Sequence, residues 1–376
     1  MSATTASIAK LTERGSAIQK RLTVAADEMV NRGLIGVAAR ITFPSGDQVA
    51  IASGAADMER SRALGGDELF AIASQSKMFT AACVQLLARD GAIKLSDPVA
   101  EYVPNVPAVD ADATIDQLLN HTSGIGNFIH AMTVLPHPWP RMSYDDLMAL
   151  ARMHGRQFRA GARLDYNNTD VVVLAKLCEN VSGQRFDRLL SERILRPLGM
   201  NETFVAAGDE WPRERMARGY YIPGQGYDGP PIDVTTLADY SIASAAGNIV
   251  SSLHDMTIWS RCLLGTEPKF PLGFADFTSN VADAGLGSPS WFMPRTYARG
   301  VESWVWGGRP FWGHRGSFFG YHSGTFVDPL SGVAFSMFLT MCTAGSFMRF
   351  IDLQAHDYMS FMASCAHSAI DALELA

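Results

Sequence analysis

The chain has 376 residues, 38 acidic and 31 basic side chains, and a formal net charge of −7. Hydrophobic residues make up 47 % and charged residues only 18 %, against roughly 25 % charged in an average soluble protein, so a large core is available and intrinsic disorder is excluded. The acid excess argues against a nucleic-acid partner, because phosphate binding needs a basic face.

Residues from Ser7 to Arg32 read as an amphipathic helix with Ile8, Leu11, Ile18, Leu22 and Met29 on one face, stopped by Gly33. Val37–Phe43 and Gln48–Ser53 are β-rich runs separated by Pro44-Ser45-Gly46, which predicts a hairpin. Ser74–Arg89 has helical spacing and is apolar nearly all round, as a helix in the middle of a fold must be, and Gly91 stops it. Thr114–Leu119, Ser143–Met153 and Asp170–Ser182 read as further helices. Gly124–Arg141, with Pro136, Pro138 and Pro140, reads as an irregular excursion. Beyond Gly285 the texture turns aromatic and β-branched: Ser303–Trp306, Phe311–His314, Tyr321–Val327 and Val333–Thr340 read as strands, the last two joined by a turn. A helix over Ser346–Leu373 closes the chain.

The fold class expected is therefore α/β (α+β): one antiparallel sheet built from both chain ends, flanked by helices, with a large all-helical insertion. Residues 1–70 and 240–376 would form a discontinuous sheet domain and 71–239 a mainly helical one, with the active site at their interface. Cys83, Cys178, Cys262, Cys342 and Cys365 are odd in number and include no Cys-x-x-Cys pair, so neither a zinc site nor a disulfide framework is indicated. Met1–Gly15 carries Lys10, Glu13 and Arg14 without an apolar stretch of secretory length, and Val333–Met341 is too short to span a bilayer. The expectation is a soluble, cytoplasmic protein of a reducing compartment, with no membrane contact.

The sharpest chemical signal is Ser74-Gln75-Ser76-Lys77. Residues three apart on a helix share a face, so a hydroxyl and an amine can meet there. Ala71, Ile72, Met78 and Phe79 would desolvate the amine and favour its neutral form, making Lys77 a general base beside a nucleophile. The same spacing recurs in Ser7-Ile8-Ala9-Lys10, so burial has to separate the two copies. Tyr166-Asn167-Asn168 opens a helix: Tyr166 could relay a proton and Asn168 orient the lysine or a substrate carbonyl, or Tyr166 is a half-buried aromatic and Asn168 a helix cap. Gly313-His314-Arg315-Gly316-Ser317 lies in the strand-like region. There His314 could face the site, Gly316 would let a substrate lie close, and the Ser317 amide could join that of Ser74 in an oxyanion hole. His322-Ser323-Gly324 has the same shape. Trp291, Phe292, Trp304, Trp306, Phe311, Trp312, Phe318, Phe319 and Tyr321 read as the packed face of a sheet, with Trp306, Phe318 or Phe319 as alternative pocket walls. The excursion with Phe128, His130, His137 and Trp139 is another candidate wall. There is no Gly-x-Ser-x-Gly elbow, no His-Glu-x-x-His and no phosphate-binding glycine loop, and the nine histidines, including His121, His154 and His254, show no metal-ligand spacing.

Taken in order, Ser74-x-x-Lys77, Tyr166-x-Asn168 and His314-x-Gly316 resemble the serine β-lactamase and DD-peptidase superfamily. The resemblance is to its class C-like branch, nearest to D-amino-acid amidases and family VIII-type esterases. Leu118–Gly124, Arg196–Met200 and Ala246–Ser252 are similar to the family as well, and the resemblance runs from about residue 35 to 345. It implies a β-lactamase/transpeptidase-like fold, with Ser74 acylated, Lys77 and Tyr166 as acid/base pair, and Asn168 orienting. It puts His314 in the place of the lysine of a Lys-Thr-Gly motif. Arg315 replaces the threonine whose hydroxyl helps hold a substrate carboxylate, so efficient β-lactam hydrolysis is not expected unless the guanidinium binds the carboxylate in another geometry. The expected activity is hydrolysis of a small amide or ester, including D-amino-acid amides, without metal or cofactor. A transacylase using the same acyl-enzyme, or a binding protein retaining the fold, are the alternatives.

Overall fold

A computed structural model describes residues 3–107, 110–132, 141–207, 211–222, 229–235, 239–283, 296–318, 320–340, 342–343 and 354–374. Helix α1 (Ala3–Asn31) leads into the hairpin β1 (Gly36–Thr42) and β2 (Gln48–Gly54). Next come β3 (Phe70–Ala71), a 3-10 turn over Ala73–Gln75, and α2 (Ser76–Arg89). The middle of the chain holds α3 (Tyr144–His154), α4 (Asn168–Ser182), β4 (Phe204–Val205), β5 (Ile249–Ser251) and α5 (Leu253–Leu264). The strands β6 (Ala282–Asp283), β7 (Thr296–Tyr297), β8 (Glu302–Trp306), β9 (Arg309–Phe318), β10 (Tyr321–Asp328) and β11 (Val333–Leu339) follow, then helix α6 (Gln354–Glu374).

Eight strands form one antiparallel sheet in the order β2-β1-β11-β10-β9-β8-β7-β6. Its two ends of chain meet where β1 pairs with β11, Val37 opposite Leu339 and Ile41 opposite Phe335. This is the architecture expected from strands at both termini with helices between. Strand alternation sorts the side chains onto two faces. Val37, Ile41, Phe311, Phe326 and Phe335 pack against α1 and α6. Ala38, Val327 and Phe338 pack on the other face with α2 and α5. Along β9 the same alternation sends Phe311, Gly313 and Arg315 toward α6 and leaves Trp312, His314, Gly316 and Phe318 on the α2 side.

Helix α2 is buried from Ser76 to Leu87, which is why its sequence is apolar all round. Phe79 stacks on Trp259 of α5 with ring centroids 4.1 Å apart. The sequence reading did not draw α5 or the three-stranded sheet β3-β5-β4, whose strands of two or three residues are too short to carry a period. The excursion expected over Gly124–Arg141 contains a helical turn, Phe128–Met132, with Phe128 fully buried. His137 and Trp139 lie outside the described residues, as do Trp291, Phe292, Phe319 and the first turns of the helix expected over Ser346–Leu373. Among the described residues no helix is long and apolar enough to cross a membrane.

Phe70 on β3 stacks on Phe338 of β11 at 4.5 Å, and neither is exposed. This contact fixes the strand that delivers Ser74 onto the large sheet. Phe70→Ala is expected to lower unfolding free energy by about 3–5 kcal/mol, the usual cost of emptying an aromatic site. Denaturant titration checks it, and a loss below about 1 kcal/mol would mean that the stack anchors nothing.

Candidate active site

Ser74 sits in the 3-10 turn between β3 and α2. Ile72 N–H donates to Ile249 O at 3.0 Å, and Ser76 Oγ accepts from Ile249 N–H at 3.1 Å, so β5 holds both sides of the turn. Ala73 takes the left-handed conformation with φ of +51°, a strained setting for a residue with a Cβ. The strain turns the chain sharply from strand to helix, leaving Ser74 half-exposed between neighbours that are buried. The sequence places Ser74 at the helix start; in the structure it lies in the 3-10 turn, two residues ahead of α2.

Lys77 is 1 % exposed, and its Nζ lies 3.0 Å from Ser74 Oγ. Nζ also donates to the Ala246 carbonyl at 2.8 Å, an anchor that spacing alone does not reveal. Burial pushes the amine well below its ordinary value of 10.5, with Glu302 pulling the other way. A neutral amine within hydrogen-bond distance of a hydroxyl is a base facing a nucleophile. Ser7 and Lys10 of the second copy lie in α1, remote in sequence from this constellation.

Tyr166 precedes α4. Asn167 caps that helix by accepting from Thr169 N–H at 2.8 Å, while its amide donates to Ile125 O at 2.6 Å. The cap is thus Asn167, and Asn168 is the first helical residue, half-buried. The Tyr166 ring centroid is 4.9 Å from Lys77 Nζ. Three further rings enclose it: His121 at 4.9 Å, Tyr297 at 5.8 Å and His314 at 5.9 Å. His121 Nδ1 lies 3.1 Å from Asp170 Oδ2, and Ser123 Oγ donates to the other oxygen. Burial holds the His121 imidazole below its ordinary range and raises the Asp170 carboxyl. These groups form a packed wall behind Tyr166.

His314 is buried, with Nδ1 against the Arg315 carbonyl and Nε2 3.0 Å from Tyr297 Oη. Burial lowers its pKa to about 4 against the opposing pull of Glu302. Two site expectations are corrected here, one on β9 and one on β8. Arg315 does not reach a substrate: its Nε donates to Glu302 Oε1 at 2.7 Å, its Nη2 to Oε2 at 3.2 Å, and its guanidinium lies 4.3 Å from the Trp304 ring centre. Consecutive strand residues point to opposite faces, so if His314 faces the nucleophile, Arg315 cannot. Trp306 is likewise no pocket wall, for it packs on Phe311, Phe326 and Phe335 under α1 and α6. Phe318 is on the site face but nearly buried, stacked on Tyr240 at 5.3 Å.

Gly316 makes room for protein, not for substrate. A Cβ there would fall far inside contact distance of Ile72 O and Ser323 Oγ and 3.1 Å from Ala73 Cβ. β9 therefore lies directly against the Ser74 turn. Arg315 N–H donates to Glu302 Oε1 at 2.9 Å on the β8 side of β9. Ser317 N–H, two residues on, points to the same side beyond the last β8 pairing, Glu302 with Gly313. A cavity of about 230 Å³ elsewhere, lined by Tyr144, Lys176, Phe186, Val205 and Asn248 among others, contains none of these residues.

The beta-lactamase family model matches residues 17–346. The chain belongs to the beta-lactamase family. It is thereby a serine hydrolase of that fold. The D-amino acid amidase from Ochrobactrum anthropi SV3 is 26 % identical with a TM-score of 0.83 in its complex with D-phenylalanine, covering 94 % of this chain and 99 % of that one. The D-stereospecific amidohydrolase from Streptomyces sp. is 27 % identical over 87 % of this chain and 94 % of that one, with a TM-score of 0.73. Penicillin-binding protein 4 of Amycolatopsis lactamdurans is 28 % identical over 84 % of this chain and 83 % of its own length. The chain spans only 39 % of the unguisins hydrolase of Aspergillus violaceofuscus, also 28 % identical over the matched part.

Gly316→Ala tests the packing of the turn. The added methyl must displace Ile72 and Ala73, at a typical overpacking cost of about 1–3 kcal/mol. Activity on any acylating substrate is expected to fall more than stability does, because the displaced backbone carries Ser74. Equal stability and activity in the variant would contradict the close approach.

Proposed function

We propose that the protein hydrolyses a small amide or ester through an acyl-enzyme on Ser74, with Lys77 and Tyr166 as the acid/base pair. The observation that carries this reading is the buried Lys77 amine 3.0 Å from Ser74 Oγ, whose pKa burial pushes well below its ordinary value. Ser74 Oγ attacks the substrate carbonyl as its proton passes to Lys77 Nζ. Protonated Lys77 is then stabilised by the Ala246 carbonyl and by the Tyr166 ring, a cation above an aromatic face. Tyr166 relays a proton to the departing amine or alcohol, and Asn168, at the head of α4, orients the reacting groups. The amides of Ser74 and Ser317 receive the oxyanion, in keeping with the free edge of β9 beyond Arg315. Water then cleaves the acyl-enzyme by the reverse proton path. The likeness to a D-amino acid amidase and a D-stereospecific amidohydrolase favours an amide with a D-configured acyl part. The site lies between the sheet formed by the chain ends and the helical middle.

Intact-mass spectrometry after exposure to a fluorophosphonate tests the nucleophile. A single adduct is expected on Ser74 and none in Ser74→Ala. Lys77→Ala and Tyr166→Phe are each expected to slow turnover of D-phenylalanine amide or a short ester about 100- to 10,000-fold, the range of general acid–base contributions. Near-normal turnover by Lys77→Ala would remove the assigned base.

A further inference from the structure

The cavity of about 230 Å³ has walls from α3, one face of α4, the short helix Phe186–Leu190 and the 3-10 turn Ser244–Ala246 with Asn248 beyond it. That turn also reaches α2. Its Ala246 carbonyl accepts from Lys77 Nζ at 2.8 Å, and its Ala245 carbonyl from Thr80 Oγ1 at 3.0 Å. One piece of backbone thus serves both the cavity and Lys77.

Asn248 stands out in this wall. Its backbone is satisfied: the N–H donates to Ser244 O at 3.0 Å and the carbonyl accepts from Ala206 N–H at 2.7 Å. The residue is only 6 % exposed, yet among the described residues its side-chain amide has no hydrogen-bond partner at either end. A buried amide left in this way is uncommon and calls for a ligand. The charged groups beside it are engaged. Lys176 Nζ meets Glu179 Oε2 at 3.2 Å and lies over the Tyr144 ring. Glu179 Oε1 accepts from Phe186 N–H at 3.1 Å, and Arg185 donates to both oxygens of Asp187 at 3.1 and 2.5 Å. These four charges cancel in pairs. Val172, Ala175, Phe186 and Ala245 supply buried apolar surface.

We propose that this cavity is a second ligand site, for a small uncharged compound that carries a primary amide on an apolar body. The ligand carbonyl accepts from Asn248 Nδ2 and the ligand N–H donates to Oδ1. A carboxylate or an ammonium can make only half of that match. The volume suits such a molecule, since about 150 Å³ is enough to hold benzene. This site does not depend on the acyl-enzyme reading.

Three probes of one shape test it: benzamide, benzoate and benzamidine. In the nitrogen-labelled protein the Asn248 side-chain amide signal is identified by its loss in Asn248→Asp or, should that chain not fold, through its own backbone resonances. It is expected to shift and approach saturation by about 10 mM benzamide, a weak affinity in keeping with so small a ligand. A signal unmoved at that concentration overturns the proposal. By calorimetry, benzoate and benzamidine are expected to bind the wild-type protein about ten-fold more weakly than benzamide, the worth of a lost hydrogen bond. In Asn248→Asp the order should reverse, because a carboxylate pairs with both N–H groups of an amidinium. Benzamidine should then bind about ten-fold more tightly than benzamide. A merely structural Asn248 would weaken all three probes alike, which contradicts the assignment. Protein labelled on Ser74 by a fluorophosphonate is expected to bind benzamide unchanged; lost binding would put the amide in the active site and overturn the second site. If the fluorophosphonate leaves no adduct, the hydrolase reading fails, while the Asn248 signal still reports on the cavity.

Discussion

The site depends on one constraint, the complete burial of an amine that must stay uncharged. Among the described residues Lys77 has two partners within hydrogen-bond distance, Ser74 Oγ and the Ala246 carbonyl, neither of which is an anion that would fix a proton on it. The carboxylate that attracts it, Glu302, is paired with Arg315. Desolvation therefore outweighs attraction and depresses the pKa of the lysine, as its proposed role of base requires. The rest of the local architecture keeps it so. α2 is enclosed along nearly its whole length, β5 pins the turn on both sides, and the Tyr166, His121 and Tyr297 rings close the remaining side.

The large sheet contributes position more than chemistry. β9 can lie against the Ser74 turn only because Gly316 has no side chain there. Its alternation decides which basic group faces the nucleophile, giving His314 to the site and Arg315 to the α6 side. The Phe70–Phe338 stack joins the short strand before Ser74 to the long strand β11, so Ser74 and the edge of β9 proposed to receive the oxyanion are referred to one frame.

Much of this was legible in the sequence. The Ser74–Lys77 spacing within an apolar helix carries the proposed nucleophile and base, and the aromatic and β-branched texture after residue 285 carries the sheet. The boundaries of the hairpin β1–β2 and of β10 and β11 fall within a residue or two of those read from turns and periodicity. Other parts needed coordinates. The partners Tyr297 and Glu302 are contributed by short strands whose pairing no local pattern announces, and the Ala246 carbonyl is a backbone atom with no signature at all. Arg315 is different, because strand alternation alone could have shown that it and His314 face opposite ways. Asn167 and Asn168 were equally good caps by type, and only the backbone at the helix entry distinguishes them.

The most direct measurement is the pH dependence of the acylation step, followed as the single-turnover burst from a chromogenic ester. A base works unprotonated, so the burst rate should be high above the Lys77 ionisation and fall as pH drops through it. Because burial depresses that ionisation, the fall is expected well below 10.5, and Lys77→Ala should abolish it. A limb at the ordinary lysine value, or one that persists unchanged in Lys77→Ala, would contradict the account.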